Sequence, residues 1–89
     1  MNWRITLSDQ AQTDLGGLDR VVRRCIQAYL IERVAAAPNP RRIGAPLSGE
    51  RFRQLWRYRV GDYRIIAEIK DAEIMIFVVE IGHRRDIYR

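Results

Sequence analysis

Arg57-Tyr58-Arg59-Val60-Gly61-Asp62-Tyr63-Arg64 is the stretch on which the reading of this chain turns. Runs of aromatic and β-branched residues flank Gly61-Asp62, a dipeptide suited to the positive φ angles of a two-residue hairpin turn. If Val60 faces Tyr63 across that turn, then Arg59 faces Arg64, Tyr58 faces Ile65, Arg57 faces Ile66 and Trp56 faces Ala67. The period of two along a strand then sorts the side chains into two faces. Trp56, Tyr58, Val60, Tyr63, Ile65 and Ala67 share one, and Arg53, Arg57, Arg59 and Arg64 share the other. Like charges directly opposite one another cost stability, so folding alone gives no reason to set Arg59 against Arg64. The arrangement points to an anionic partner.

C-terminal to the hairpin, Asp71-Ala72-Glu73 turns the chain into Ile74 to Ile81, apolar at nearly every position as in a strand covered on both faces. A two-residue turn would pair Arg64 with Val79. A three-residue turn pairs Lys70 with Ile74 and Arg64 with Glu80, and is preferred because it gathers Glu80, Gly82 and Arg84 on the side of Arg64. The tail from Gly82 to Arg89 then leaves the sheet.

N-terminal to the hairpin, Trp3 to Leu7 alternates large apolar with polar residues and reads as a strand. Ser8 is an N-cap candidate, with Asp9 placed where a negative charge suits the helix dipole, and a short helix runs to Asp14 or Leu15. Gly16-Gly17 ends it, and Leu18 packs at the bend. Asp19 caps a longer helix, Arg20 to about Ala37, whose apolar side carries Val22, Cys25, Ile26, Tyr29, Leu30 and Val34. Pro38-Asn39-Pro40 stops it. Arg41 to Arg51 is a loop, with at most a short extended piece around Leu47. The expected fold is one α+β domain, residues 1–89, with a four-stranded, mainly antiparallel sheet and the helix hairpin of residues 8–37 on one face (β-α-α-β-β-β). Val22, Ile26, Tyr29 and Leu30 share its core with Trp56, Tyr58, Ile65 and Phe77.

Eighty-nine residues bury one modest core. No apolar run is long enough to span a membrane and no signal sequence is visible, so a cytoplasmic location is expected. The lone Cys25 has no thiol partner and reads as a buried structural side chain. One histidine and one cysteine make no zinc site, and neither a metal nor another cofactor is expected. Of the 16 basic residues only Lys70 is a lysine, a bias that suits planar, bidentate contact with phosphate. Seven arginines (41, 42, 51, 53, 57, 59 and 64) lie between Arg41 and Arg64 against Glu50 and Asp62, a local excess equal to the +5 of the whole chain. A basic patch concentrated on strands and the loop leading into them is the footprint of a nucleic-acid binder.

The tail adds a more specific signal. Gly82-His83-Arg84-Arg85-Asp86-Ile87-Tyr88 follows a hydrophobic strand, and Val60-Gly61-Asp62-Tyr63-Arg64-Ile65-Ile66 precedes it at a spacing that resembles the RelE/ParE toxin superfamily, in its RelE-like branch. The resemblance extends over nearly the whole chain in element order, but its specific motifs are Tyr63-Arg64 and Gly82 to Tyr88. It implies the toxin of a type II toxin-antitoxin system: a metal-independent endoribonuclease that cuts mRNA in the ribosomal A site, held inactive by a cognate antitoxin, and monomeric or weakly dimeric when free. By position, Arg64 matches the family arginine after the hairpin tyrosine, Arg84 the arginine after the strand-ending glycine, and Tyr88 the functional tyrosine. Arg57 falls where the family can carry a catalytic lysine. Leu55 stands at a second lysine position of the type member, which leaves the identity of the general base open, because arginine cannot be deprotonated in a protein. The chain stops one residue past Tyr88, so the C-terminal helix of some members is not expected.

In the implied reaction a ribose 2′-hydroxyl attacks the adjacent phosphate. The site must remove that proton, supply one to the 5′-oxygen and stabilise charge on the phosphorane. Arg64 and Arg84 are the candidates for the last task, supported by Arg57 and Arg59. Arg41, Arg42, Arg51, Arg53, Arg59 and Arg85 are candidates for RNA binding. Histidine is the residue type that changes charge near neutral pH, which makes His83 a candidate acid or base. Strand parity, however, turns it away from Arg64 if the strand continues that far. Tyr88 offers a ring for stacking or a hydroxyl for proton transfer. Arg64 could instead pair simply with Glu80, and Arg84 with Asp86. Two alternatives stay open: a ParE-like poison of DNA gyrase without ribonuclease activity, and a non-catalytic nucleic-acid-binding module.

Overall fold

The computed structural model describes residues 2–47 and 54–87. In chain order its elements are β1 (Arg4–Leu7), α1 (Asp9–Gly16), α2 (Arg20–Tyr29), β2 (Ala45–Pro46), β3 (Leu55–Val60), β4 (Tyr63–Lys70), β5 (Met75–His83) and α3 (Arg84–Ile87). Gly61 has φ +60°, the left-handed conformation that the tight turn between β3 and β4 requires and that a residue without Cβ adopts freely. The β3–β4 register is the expected one, from Val60 opposite Tyr63 to Trp56 opposite Ala67, with Arg59 directly opposite Arg64.

Among the described residues the sheet has five strands in the order β1-β5-β4-β3-β2, one more than expected. The additional strand is β2, a two-residue piece beside the anticipated Leu47, pairing Ala45 with Arg57 and Pro46 with Trp56. The sheet is mixed, because β1 runs parallel to β5 with Ile5 beside Ile76. A helical connection lies between β1 and the rest of the sheet, as a parallel neighbour requires.

The β4–β5 pairing departs from expectation. Asp71–Glu73 form a 3₁₀ turn, and Ile74, at φ 49° and ψ 53°, adds a fourth turn residue, so that Lys70 pairs with Met75. Between Ile66 and Ala67 the register then shifts: Ala67 pairs with Val78 but Ile66 pairs with Glu80, leaving Val79 as the extra residue of a β-bulge. Arg64 therefore faces Gly82, not Glu80. The bulge has a burial reason. Ile76 and Val78 point into the core, and strict alternation would bring Glu80 after them; the extra residue brings Ile81 there instead, at 3 % exposure. Phe77, expected in the core, lies on the other face opposite Glu68, half-buried with the Lys70 Nζ 5.2 Å from its ring centroid.

Both helices begin where capping chemistry places them. The Ser8 hydroxyl accepts from the Ala11 N–H at 3.0 Å, and the Asp19 carboxylate from the Val21 N–H at 3.1 Å. After Tyr29 the second helix widens into one π-helical turn, Leu30–Val34, which lets both Val34 and Ala35 reach the core. Ala11, Leu15, Ile26, Leu30 and Val34 from the helices pack on Tyr58, Ile65, Ala67, Ile69, Ile76, Val78 and Ile81 from the sheet. Trp56 and Tyr29 are partly buried against this cluster. Each large aliphatic side chain removed from water contributes about 1.5–3 kcal/mol. Cys25 is exposed, contrary to the expected buried thiol. It stands about 100° around the helix from Ile26, beyond the apolar stripe.

Candidate nucleic-acid interface

Strand parity and the bulge lay out the sheet face turned away from α1 and α2. Nearest the Gly61 turn, one row runs Arg59–Arg64–Gly82 across β3, β4 and β5; the next row runs Arg57–Ile66–Glu80. Rows of this kind are spaced by about 5 Å across strands and about 7 Å along them, so Arg57, Arg59 and Arg64 are neighbours along, across and diagonally on one face. Gly82 places no side chain opposite Arg64. Arg59 is exposed, and Arg57 and Glu80 are half-buried.

Arg64 is the most constrained of these groups. It is 7 % exposed, and its Nη1 donates to the carbonyl oxygens of Gly61 at 3.1 Å and Tyr63 at 3.0 Å. Its Nε is buried and has no hydrogen-bond partner among the described residues. Arg64 thus turns to the hairpin backbone rather than to Glu80. The remaining turn carbonyl, that of Asp62, accepts from the backbone N–H of Arg84 at 2.9 Å. Three successive turn carbonyls are therefore taken up by Arg64 and Arg84, which joins the tip of the hairpin to the start of α3. The Arg84 Nε lies 3.9 Å from an Asp62 carboxylate oxygen, in an exposed pair of little energetic weight. Asp62, read from sequence only as a turn residue, is in this way a neighbour of Arg84.

The strand does not end at Gly82. β5 continues to His83, which pairs with Tyr63, and the tail expected to leave the sheet from Gly82 does so only from Arg84, in the helical turn α3. His83 shares the face of Tyr63 and Ile81, opposite to that of Arg64 and Gly82. Its ring meets Tyr63 edge-on, with centroids 5.5 Å apart and an interplanar angle of 81°. Its Nδ1 accepts from the Arg85 backbone N–H at 3.2 Å, leaving only Nε2 without that engagement. Arg85 is exposed on α3.

The loop arginines divide differently. Arg41 and Arg42 fall in a 3₁₀ turn, Pro40–Ile43, begun by the Asn39 side chain accepting from the Arg41 N–H. Arg41 makes a bidentate pair with Asp71, Nη1–Oδ1 2.9 Å and Nη2–Oδ2 2.7 Å, and lies over the Trp56 ring at 5.8 Å. That hydrogen bonding holds the Asp71 carboxyl below its ordinary range and raises Arg41. Asp71 follows the far end of β4, roughly 25–30 Å along the strand from the Gly61 turn. Arg41 is thereby separated from Arg57, Arg59 and Arg64, whereas Arg42 is exposed. Arg51, Arg53 and Tyr88 lie outside the described residues. Among the described residues, no three His, Cys, Asp or Glu side chains gather as a metal site would need. No described helix is long and apolar enough to cross a membrane.

Similar solved structures include the toxin-antitoxin complex RelBE2 from Mycobacterium tuberculosis, with TM-score 0.85, 22% identity, and coverage of 97% of this chain and 95% of that one. The isolated E. coli RelE toxin aligns with TM-score 0.71 and 17% identity over 91% of this chain and 83% of that one. The archaeal RelE-RelB complex from Pyrococcus horikoshii aligns with TM-score 0.72 and 23% identity over 97% and 99%. At these identities the likeness is one of fold. Among curated proteins, none matches the chain in sequence. The family model described as the ParE toxin of the type II toxin-antitoxin system, parDE, matches residues 5–88. The hairpin motif, the Gly82-to-Tyr88 tail, the sheet order and this near-complete match converge: the chain belongs to the ParE toxin family of type II toxin-antitoxin systems, within the RelE/ParE superfamily.

Proposed function

We propose that this toxin is a ribosome-dependent endoribonuclease that cleaves mRNA in the A site by attack of a 2′-hydroxyl on the adjacent phosphate. The observation that carries the proposal is the direct opposition of Arg59 and Arg64, flanked by Arg57 on the same face. Two arginines set side by side across a ladder weaken the fold unless an anion lies between them. A polyanionic chain is the ligand such a face fits. Arg64 and Arg84, both anchored to the Gly61–Tyr63 turn, stabilise the phosphorane, a task a guanidinium performs at any physiological pH. Arg57 adds charge at the same centre. Arg59 and Arg85, both exposed, hold the flanking phosphates, with Arg42, Arg51 and Arg53 as further contacts. Tyr88 stacks on a base or moves a proton.

The partner of the free toxin is a cognate antitoxin, as in the RelE-RelB complexes of similar fold. It carries acidic or apolar residues that neutralise or displace the arginine cluster. Without it the toxin is a cytoplasmic monomer or weak dimer that engages ribosomes directly.

The match to the ParE toxin family favours a second reading, a ParE-like DNA gyrase poison without ribonuclease activity. One experiment separates the two. Purified toxin is added to translating ribosomes and mRNA 5′ ends are mapped, with a DNA gyrase supercoiling assay in parallel. The expected result is 5′-hydroxyl ends within A-site codons and none on naked mRNA. Intact mRNA together with inhibited supercoiling would overturn the endoribonuclease reading in favour of the second.

A further inference from the structure

The arginines of the site supply charge to stabilise a phosphorane, but none of them can receive the 2′-hydroxyl proton, so the acceptor is sought among the other described residues. His83, the sequence candidate, shares the face of Tyr63 and has Nδ1 engaged by the Arg85 N–H. Asp62 stands at the tip of the turn beside Arg84. On the face of Arg57, Arg59 and Arg64, the carboxylate nearest Arg64 by register among the described residues is that of Glu80, while Glu68 lies diagonal to Arg57. Glu80 sits beyond Ile66 in the row of Arg57 and one row from Gly82, which faces Arg64. The Cα diagonal from Glu80 to Arg64 is about 7–8 Å, within reach of two long side chains meeting around one nucleotide.

The backbone on both sides of Glu80 is pinned. The β-bulge turns it to this face, the Ser8 hydroxyl donates to the Val79 carbonyl at 2.6 Å, and the Asp14 carboxylate accepts from the Ile81 N–H at 3.0 Å. A carboxylate carried on a strand locked by a helix cap and a buttressing aspartate is held more firmly than one on a loop. The charged groups around it are Arg57 and Arg59 on β3, Arg64 and Glu68 on β4, Asp14 on α1, and Arg84 and Arg85 on α3. Arg64, which could have neutralised it, donates to the turn carbonyls instead.

We propose that Glu80 is the proton acceptor of this site, a role that rests on the endoribonuclease reading. The carboxylate takes the proton of the 2′-hydroxyl as the O2′–P bond forms. The P–O5′ bond breaks with its electron pair on O5′, which takes a proton from solvent water. Glu80 returns its own proton to solvent, so the net transfer is one proton from O2′ to O5′. Ser8 and Asp14 are positioning residues for Glu80.

The test is single-turnover cleavage on translating ribosomes at saturating toxin, with wild type, Glu80→Gln, Glu80→Asp and His83→Gln side by side across pH. Glu80→Gln keeps the size of the side chain and removes its basicity. Its rate is expected to fall by about 100-fold or more, the usual scale for a lost general base, with ribosome affinity unchanged and the acidic limb of the pH profile gone. Glu80→Asp is expected to recover part of the rate and the limb, which a merely structural role would not produce. His83→Gln is expected to keep the wild-type profile. If wild type cleaves and Glu80→Gln matches its rate and profile, the assignment to Glu80 is overturned while the endoribonuclease reading stands. A wild type that never cleaves overturns both.

Discussion

Arg64→Met separates a residue kept for function from one kept for folding, because the structure sets its effects on stability and rate apart. The substitution deletes two charge-assisted bonds to the carbonyls of Gly61 and Tyr63, of 3.1 and 3.0 Å, each contributing about 1.5–3 kcal/mol. Against that loss, it removes a guanidinium with only 7 % exposure whose buried Nε has no partner among the described residues, a defect costing about 1–3 kcal/mol. It also removes the opposition to Arg59, about 0.2–1 kcal/mol, while the thioether chain keeps the apolar contacts of the arginine stem. The turn carbonyls lie at the exposed hairpin tip and can turn to water. These terms offset to within about 2 kcal/mol, well short of the 3–5 kcal/mol typical when one partner of a buried ion pair is removed. With a urea slope of about 1 kcal/mol/M, the unfolding midpoint followed by Trp3 and Trp56 fluorescence shifts by less than about 2 M. Cleavage on translating ribosomes, by contrast, falls by about 100-fold or more, the scale for a lost preorganised donor. A variant destabilised by more than about 3 kcal/mol that still cleaves at the wild-type rate would refute the reasoning and make Arg64 a structural residue.

Four further substitutions have distinct expected outcomes. The Tyr58 hydroxyl donates to the Pro40 carbonyl at 2.8 Å in full burial, and desolvation raises its pKa well above the ordinary tyrosine value, so the folded state keeps the proton that the unfolded chain gives up. This contribution to stability is complete below about pH 10 and is lost as pH climbs toward the raised value; Tyr58→Phe loses about 1 kcal/mol at neutral pH but shows a smaller alkaline decline in urea midpoint. Ile74, a β-branched residue at φ 49°, occupies a left-handed turn position that glycine adopts freely, so Ile74→Gly raises thermal stability by about 1 kcal/mol, and an unchanged or lower melting temperature would refute the strain. Arg59→Gln lowers the salt slope of ribosome association by about one, whereas Arg41→Ala leaves the slope unchanged and acts on stability instead. Because Arg41 depresses Asp71, the contribution of that pair is present above the ordinary carboxylate range and lost as pH falls through the lowered value. Arg41→Ala therefore flattens the acid limb of urea stability, and a changed salt slope would return Arg41 to the RNA interface.

The sequence alone determined what depends on neighbouring residues. Gly61-Asp62 specified the turn, the turn specified the β3–β4 register, and alternation separated Tyr58 and Ile65 from Arg57, Arg59 and Arg64. Ser8 and Asp19 marked their helix starts because a side-chain oxygen two or three residues before an unsatisfied N–H is a local arrangement. Only the tertiary structure decided the features that rest on distant partners. The parallel pairing of β1 with β5 joins segments about seventy residues apart in the chain, and nothing within either strand announces it. Ile74 entered the turn and Val79 became the bulge because the pairing that buries Ile76, Val78 and Ile81 together requires both, although that brings a β-branched residue into a left-handed conformation. The same shift placed Gly82 opposite Arg64 and set Glu80 in the row of Arg57, across Ile66. Arg41 went to Asp71 and Trp56 through closure of the sheet, a contact that a charge count cannot see. Local chemistry specifies a tight hairpin because its two strands share one turn. Longer turns, bulges and parallel neighbours are selected by the apolar surface that the whole sheet buries against its helices.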